Sequence, residues 1–364
     1  MYITHIELYQ YRNAQQIHYA FSEGLVVVSG NNGLGKTNLL ESIFVGCMNF
    51  SPRTRKEKDQ VLWGQKEFSI KIRGSLNQES FEQLFIWKEG TGREIRNAGV
   101  TLKVQDKLPG KFPCVWFGPD DITLITGGPV LRRRFLDVLL AQTTLGYLEI
   151  HREYQQILKQ RNFLLKEGSL QSSQETFHIL SEQLAEKGAF LIKARLEFCK
   201  EFLPWIGLFY NKISQGKDSF HLKYQGSFKT DFEGASKESI QQAFFEILTK
   251  NQSEEEKNGQ TLYGPHRDNL LFLLAGRPAS QFGSQGQKRL CALSLRLAEA
   301  ACLKLKKNVV PLLLLDDVFA ELDPTRRLVL SDCIKEYEQA IIATPWEADL
   351  SFVPHQSLSL KRPD

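Results

Sequence analysis

Residues 25–41 read Leu25-Val26-Val27-Val28-Ser29-Gly30-Asn31-Asn32-Gly33-Leu34-Gly35-Lys36-Thr37-Asn38-Leu39-Leu40-Glu41. The apolar, β-branched run Leu25–Val28 predicts a short buried strand. Asn38 to Ile43 predicts a helix, and between the two Gly30–Thr37 fits GxxxxGK[ST] without a gap. Glycines in that spacing let successive backbone N–H groups turn inward around phosphate oxygens, and the helix start adds its partial positive charge. Gly30, Asn31, Asn32, Gly33, Leu34, Gly35, Lys36 and Thr37 are therefore the expected nucleotide-binding residues. Lys36 is expected at the β- and γ-phosphates and Thr37 at Mg²⁺. At average residue frequencies the pattern arises by accident in on the order of 1% of chains this long, so the strand and helix around it decide in favour of nucleotide.

Two later stretches gain meaning from this loop. Leu312-Leu313-Leu314-Leu315-Asp316-Asp317 predicts a strand buried on both faces that ends in two carboxylates. In a phosphate-loop fold a neighbouring strand presents such an aspartate to the metal. Asp316 is assigned to Mg²⁺, and Asp317 to the attacking water as general base. Ser284-Gln285-Gly286-Gln287-Lys288-Arg289 opens a long predicted helix from about Gln285 to Lys306, with Ser284 as N-cap. That start is a second anion-seeking helix terminus.

The chain has 364 residues, enough for about two compact units of ordinary size. Its composition, 42% hydrophobic and 24% charged, excludes disorder and collagen-like structure. A net charge of +4 is too mild to identify a nucleic-acid binder. The six cysteines form no CxxC pair and have mostly apolar neighbours, so they read as reduced core residues. The N-terminus lacks a secretory pattern, and no apolar run approaches the 18 or so residues that a membrane span needs. A cytoplasmic protein with no membrane partner is expected.

The first 120 or so residues read as strand-rich, with alternation at Phe68–Ile72 and Phe85–Trp87. From Leu131 to Ser214 helical spacing takes over and predicts an antiparallel helix pair of roughly 25 residues each. The acidic stretch Ser253–Gly259 is expected to be an exposed loop. Basic clusters at Arg53–Lys56, Arg132–Arg134 and Lys304–Lys307 are candidates for DNA-backbone contact, although charge runs are usually solvated faces. No aromatic-interleaved single-strand platform and no recognition-helix pattern is visible.

In order and spacing, the phosphate loop, the Ser-Gln-Gly-Gln turn and the Asp-Asp strand resemble an ABC-type ATPase head. More narrowly, the chain resembles the RecF family of DNA-repair ATPases, relatives of the SMC proteins. The blocks that carry the resemblance are Gly30–Glu41, Gly264–Asp268 (GPHRD), Phe282–Arg289, Leu313–Asp323, Pro119–Asp137 and Leu8–Asn13. It implies an α/β fold with a mixed sheet and an inserted helical arm lobe. Residues 1–118 with 300–364 would form one lobe, and 119–299 the other. It also implies an ATP-sandwiched homodimer, with Ser284, Gln285, Gly286 and Gln287 of one subunit closing on the γ-phosphate held by Lys36 of the other. Glu321-Leu322-Asp323 would be the dimer-facing loop. Thr344 falls where many transport ATPases place a γ-phosphate-sensing histidine, and Arg12 and Asn13 where SMC-like relatives hold base or phosphates.

The family further implies DNA replication, recombination, repair and the SOS response, with binding of duplex, gapped and single-stranded DNA. It implies RecO- and RecR-type partners that load a recombinase, and weak, DNA-stimulated ATP hydrolysis used as a switch. Asp317 stands where transporters carry Glu, and Ala320 where Ser is commoner. A transporter subunit is the first alternative, but its usual Leu-Ser-Gly-Gly-Gln is here Gly283-Ser284-Gln285-Gly286-Gln287. A structural SMC protein needs hundreds of residues of coil, for which the arm is too short. A small-molecule kinase has no use for the second glycine turn.

Overall fold

The computed structural model describes residues 1–102, 112–167, 173–216, 218–228, 234–319, 322–345 and 355–360. In chain order the elements begin with β1 (Tyr2–Tyr11), β2 (Ala14–Ala20), β3 (Gly24–Ser29) and α1 (Lys36–Met48). There follow β4 (Glu67–Leu76), β5 (Glu79–Lys88), β6 (Gly92–Asn97), β7 (Val100–Thr101) and β8 (Cys114–Phe117). The helical stretch holds α2 (Ile122–Thr126), α3 (Pro129–Thr143), α4 (Tyr147–Glu167) and α5 (Gln174–Ser214). Then come β9 (Phe220–Gln225), α6 (Lys237–Lys250), α7 (Gln252–Asn258), β10 (Asn269–Leu274), β11 (Arg277–Pro278) and α8 (Ala279–Phe282). The chain closes with α9 (Gln285–Lys307), β12 (Leu312–Asp316), α10 (Pro324–Ile334), β13 (Gln339–Thr344) and β14 (Gln356–Ser359).

Two compact units result: Met1–Asp121, Asn211–Gly216 and Ala292–Asp364 form the first, and Ile122–Tyr210 with Lys217–Cys291 the second. The first unit holds two sheets. One is antiparallel, in the order β2-β1-β4-β5-β6-β7; the other is parallel, in the order β14-β3-β13-β12-β8. A parallel sheet covered on both faces needs continuous apolar strands. Val26–Val28 and Leu312–Leu315 are accordingly 0% exposed. Each such side chain contributes about 1.5–3 kcal/mol by leaving water. Helix α1 runs against β4, where a Cβ on Gly46 would sit 2.8 Å from Ile72 Cγ2, too close without a shift of the strand's side chains.

The second unit is helical, with the three-stranded sheet β11-β10-β9. The expected helix pair is α4 and α5, but α5 is 41 residues long and carries Pro204 within it. All six cysteines are free and buried, as expected. The acidic stretch corrects the sequence reading: Gln252–Asn258 is helix α7, not a loop, and its Glu255 is fully buried. The cause is Arg161 on α4. Its guanidinium pairs with Glu255 Oε2 at 2.7 Å, donates to Thr261 Oγ1 and Ser181 Oγ, and stacks 4.4 Å from the Phe177 ring centroid. Part of the basic run Arg132–Arg134 also turns inward. Arg132 donates to Asn269 Oδ1 and the Gly127 carbonyl, and Arg133 donates to the Asp268 carbonyl.

Removing one partner of a fully buried ion pair strands the other charge, which costs about 3–5 kcal/mol. Glu255→Ala is expected to lower unfolding stability by that amount in urea melts, whereas the exposed Glu254→Ala stays near wild type. Equal midpoints for the two variants would show that the pair does not hold α7.

Candidate functional site

The turn after β3 is shaped by backbone that side chains rarely adopt. Gly30, Gly33 and Gly35 have φ of 144°, 83° and 95°. At Gly35 a Cβ would also meet the Asn13 side-chain amide at about 3.0 Å, so both conformation and space demand glycine. This turn leads directly into α1, which begins at Lys36 and carries Thr37 in its first turn. Lys36 is buried, and its Nζ donates to the carbonyls of Gly30 at 2.6 Å and Asn31 at 3.0 Å. Burial pulls the Lys36 ammonium below its ordinary value, opposed by the nearby Asp317 and Asp316.

Across the sheet, β12 delivers Asp316, 4% exposed, whose Oδ1 accepts from Thr37 Oγ1 at 2.9 Å. Burial pushes the Asp316 carboxyl up to about 6, against the pull of the Thr37 hydrogen bond and the Arg53 charge. Asp317 is exposed, sits at φ 55°, and its N–H donates to the Ala343 carbonyl. A cleft lies between these elements, lined by Asn32, Gly33, Gly35, Lys36, Thr37, Asp316 and Asp317 among others. Asn32, Gly33, Gly35, Lys36 and Thr37 of the expected loop thus meet both carboxylates in one cleft, whereas Gly30, Asn31 and Leu34 are not among its lining residues.

The donor set fits a magnesium nucleotide. A hydroxyl and a buried carboxylate, 2.9 Å apart, offer the hard oxygens that Mg²⁺ takes one or two at a time, with phosphates and water supplying the rest. No cluster of three or more His, Cys, Asp or Glu occurs among the described residues, so an all-protein metal cage is absent there. The open, glycine-lined turn at a helix N-terminus is the matching anion cradle.

Other expected residues are placed differently. Arg12 donates from Nε and Nη2 to the two carboxylate oxygens of Glu41 at 3.0 and 2.6 Å and from Nη1 to the Asp59 carbonyl. Asn13 Oδ1 accepts from Asn38 Nδ2. Thr344 is 1% exposed at the end of β13, while its neighbours Ala343 and Pro345 line the cleft. Ala320 and Glu321 of the expected dimer loop lie outside the described residues. Glu41 is the residue that sequence reasoning missed. It is 0% exposed and also binds Arg53 Nη1 and Ser51 Oγ. The available signal was a lone carboxylate inside the apolar run of α1.

In the second unit, Ser284 and Gln287 cap α9 reciprocally. Gln287 N–H donates to Ser284 Oγ at 3.2 Å, and Ser284 N–H donates to Gln287 Oε1 at 2.9 Å. This is a capping box with Gln at the third helical position. Gln287 Nε2 donates onward to Asp218 Oδ2, so both ends of its amide are engaged, while Ser284, Gln285 and Gly286 face solvent. The GPHRD block forms a polar hub, buried at Asp268 and exposed at Arg267. His266 Nδ1 lies 2.6 Å from Tyr154 Oη, Asp268 accepts from Tyr224 Oη and Ser227 N–H, and Arg195 Nη1 donates to the Pro265 carbonyl.

A parallel sheet whose strand-to-helix turn cradles anions, with a hydroxyl–carboxylate pair at the same edge, defines the head of an ABC- and SMC-type ATPase fold. An SMC head bound to the C-winged helix domain of ScpA shares that fold, with a TM-score of 0.57 over 100% of this chain and 95% of that one, at 15% identity. A solved structure of the recombination mediator protein RecF-ATPrS in the RecFOR pathway superposes with a TM-score of 0.88, at 29% identity over 98% of this chain and 96% of that one. The DNA replication and repair protein RecF of Ligilactobacillus salivarius (strain UCC118) is 36% identical over 358 residues, 96% of this chain and 93% of that protein. No family model matches. This chain belongs to the RecF family.

Burial, aided by the charges of Arg267, Arg133 and Arg195, pushes the His266 imidazole down to about 4 from its ordinary 6.5. The folded chain then binds fewer protons than the unfolded one below pH 6.5. The contribution of His266 to stability is present above that value and is lost as pH falls towards 4. His266→Gln is expected to flatten this limb in urea melts at pH 7, 6 and 5; a limb as steep as that of wild type would exclude His266 as its origin.

Proposed function

We propose that this chain is an ATP-dependent DNA-binding protein of replication and recombinational repair, in which ATP binding closes a homodimer around DNA. The observation that carries this reading is the Thr37–Asp316 hydrogen bond, which joins the phosphate loop to the acidic strand at one cleft. The RecF family membership supplies the biological setting.

In this reading the backbone N–H groups of Gly30–Thr37 hold the phosphate oxygens, and Lys36 exchanges its two carbonyl acceptors for the β- and γ-phosphates. Thr37 and Asp316 hold Mg²⁺, which neutralises charge on the phosphates when bound. The pKa of Asp316, raised by burial, falls back once a cation sits beside it. Asp317 accepts the proton of the attacking water. Its carboxylate is one methylene shorter than the Glu of transporters and suits slow turnover, as a switch needs.

Ser284 is suited to complete the site of a second copy. Its oxygen already accepts the cap hydrogen bond from Gln287 N–H, which leaves the hydroxyl proton to donate to an anion. Gln287, engaged at both ends of its amide, holds the turn in the free subunit. Arg12 and Asn13 act by fixing Glu41 and Gly35 behind the loop. ATP serves as a clamp switch whose binding energy goes into dimerisation. DNA is held by backbone and shape, hence in a salt-sensitive, sequence-tolerant manner. RecO- and RecR-type proteins are the partners, and the cytoplasm the compartment. No helix among the described residues is long and apolar enough to cross a membrane.

Lys36→Ala is expected to lose ATP binding by at least tenfold in equilibrium dialysis, and normal affinity would refute the phosphate-loop assignment. Ser284→Arg should keep ATP affinity but abolish ATP-dependent dimers in sedimentation velocity; dimers of unchanged strength would sink the sandwich.

A further inference from the structure

Edge strand β14 is short and mostly polar. Gln356 and Leu358 are half-buried and Ser357 and Ser359 exposed, whereas Leu360, one residue past the strand, is 5% exposed. The segment thus places its buried side chain beyond its own ladder, and what Leu360 packs on is the phosphate loop.

Strand β14 runs parallel to β3, with Leu358 level with Val28 and Ser359 level with Ser29. One residue further on, Leu360 N–H donates to the Ser29 carbonyl at 2.9 Å. A Cβ on Gly30 would lie 3.0 Å from the Leu360 carbonyl oxygen and 3.6 Å from Leu360 Cβ, with Leu34 Cδ1 at 3.1 Å. Gly30, the first residue of the loop, is therefore enclosed between Leu360 and Leu34. On the other side of β3, pairing with β13 ends at Ser29 and Thr344. The other end of β14 is tied as well, since Gln356 Oε1 accepts from Ser22 N–H at 2.7 Å, between β2 and β3.

The contact reaches the chemistry through one hydrogen bond. The Gly30 carbonyl accepts from Lys36 Nζ at 2.6 Å, so the place of Gly30 decides where that ammonium is held. Neither Gly30 nor Leu360 lines the cleft, and Leu360 can act on a nucleotide only through the loop's backbone. A binding constellation works when its groups are held to within about 0.5 Å, and packing behind them is what holds them.

We propose that Leu360 is a positioning residue for the nucleotide site: it wedges Gly30 against Leu34 and so sets the phosphate loop and Lys36 for the β- and γ-phosphates. The inference rests on the ATP-binding part of the proposed function and adds to it a residue remote from the loop in sequence.

The test is equilibrium dialysis of the full chain against ATP for wild type, Leu360→Ala, Leu360→Val and Leu360→Met, each with a urea melt recorded without nucleotide. Leu360→Ala is expected to weaken ATP binding by about tenfold in a chain that the melt shows to be folded. Leu360→Met, which conserves volume, should bind within about twofold of wild type. Should Leu360→Ala not fold, Leu360→Val carries the test with a loss of about threefold. A residue that served stability alone would shift the melt and leave the affinity of the folded chain unchanged. Wild-type affinity in folded Leu360→Ala or Leu360→Val, or an equal loss in Leu360→Met, would overturn the positioning role while leaving ATP binding in place. A wild type that binds no ATP would overturn both.

Discussion

Parallel pairing of β3, β13 and β12 is the constraint on which the first unit's chemistry depends. The register sets Thr344 level with Ser29 and Asp316 level with Ala343, so all three strands end at one edge. Whatever follows β3 and whatever ends β12 must then lie side by side. The phosphate loop follows the first, and two aspartates end the second. A hydroxyl and a carboxylate 279 positions apart in the chain are thereby brought within hydrogen-bond distance. Antiparallel pairing would send one of these ends to the opposite edge of the sheet.

Behind the cleft, buried polar groups act as braces. Glu41, within α1, takes hydrogen bonds from Arg12, Arg53 and Ser51, and Asn13 fills the space over Gly35. A buried carboxylate with so many donors is satisfied and holds its surroundings in one arrangement. The second unit uses the same device in Arg161–Glu255 and in the hub around His266 and Asp268. Each is costly to break because the group left behind has no water to turn to.

The strands, α1, the long helix α9 and the meeting of phosphate loop with acidic strand were legible in the sequence, because each rests on a local pattern: an apolar run, a glycine spacing, an N-cap. What escaped was the partner of each charge. Ser253–Gly259 looks like a solvated loop because six of its seven residues are polar or charged and nothing nearby announces Arg161, which lies about ninety positions earlier. Arg132–Arg134 looks like a basic surface, yet Arg132 and Arg133 spend their donors on a side-chain amide and backbone carbonyls of their own unit. Arg12, expected near base or phosphates, has Glu41 as its partner within the chain.

The amino-acid sequence by itself determined the fold family and the cleft, since β-branched runs, glycine torsions and helix caps act over a few residues and leave their mark in order and spacing. Only the tertiary structure decided which charges are spent within the protein and which remain for a ligand. That depends on who faces whom across distant segments, and the energy of a charge is set by its burial and its partner, neither of which is written at its own position.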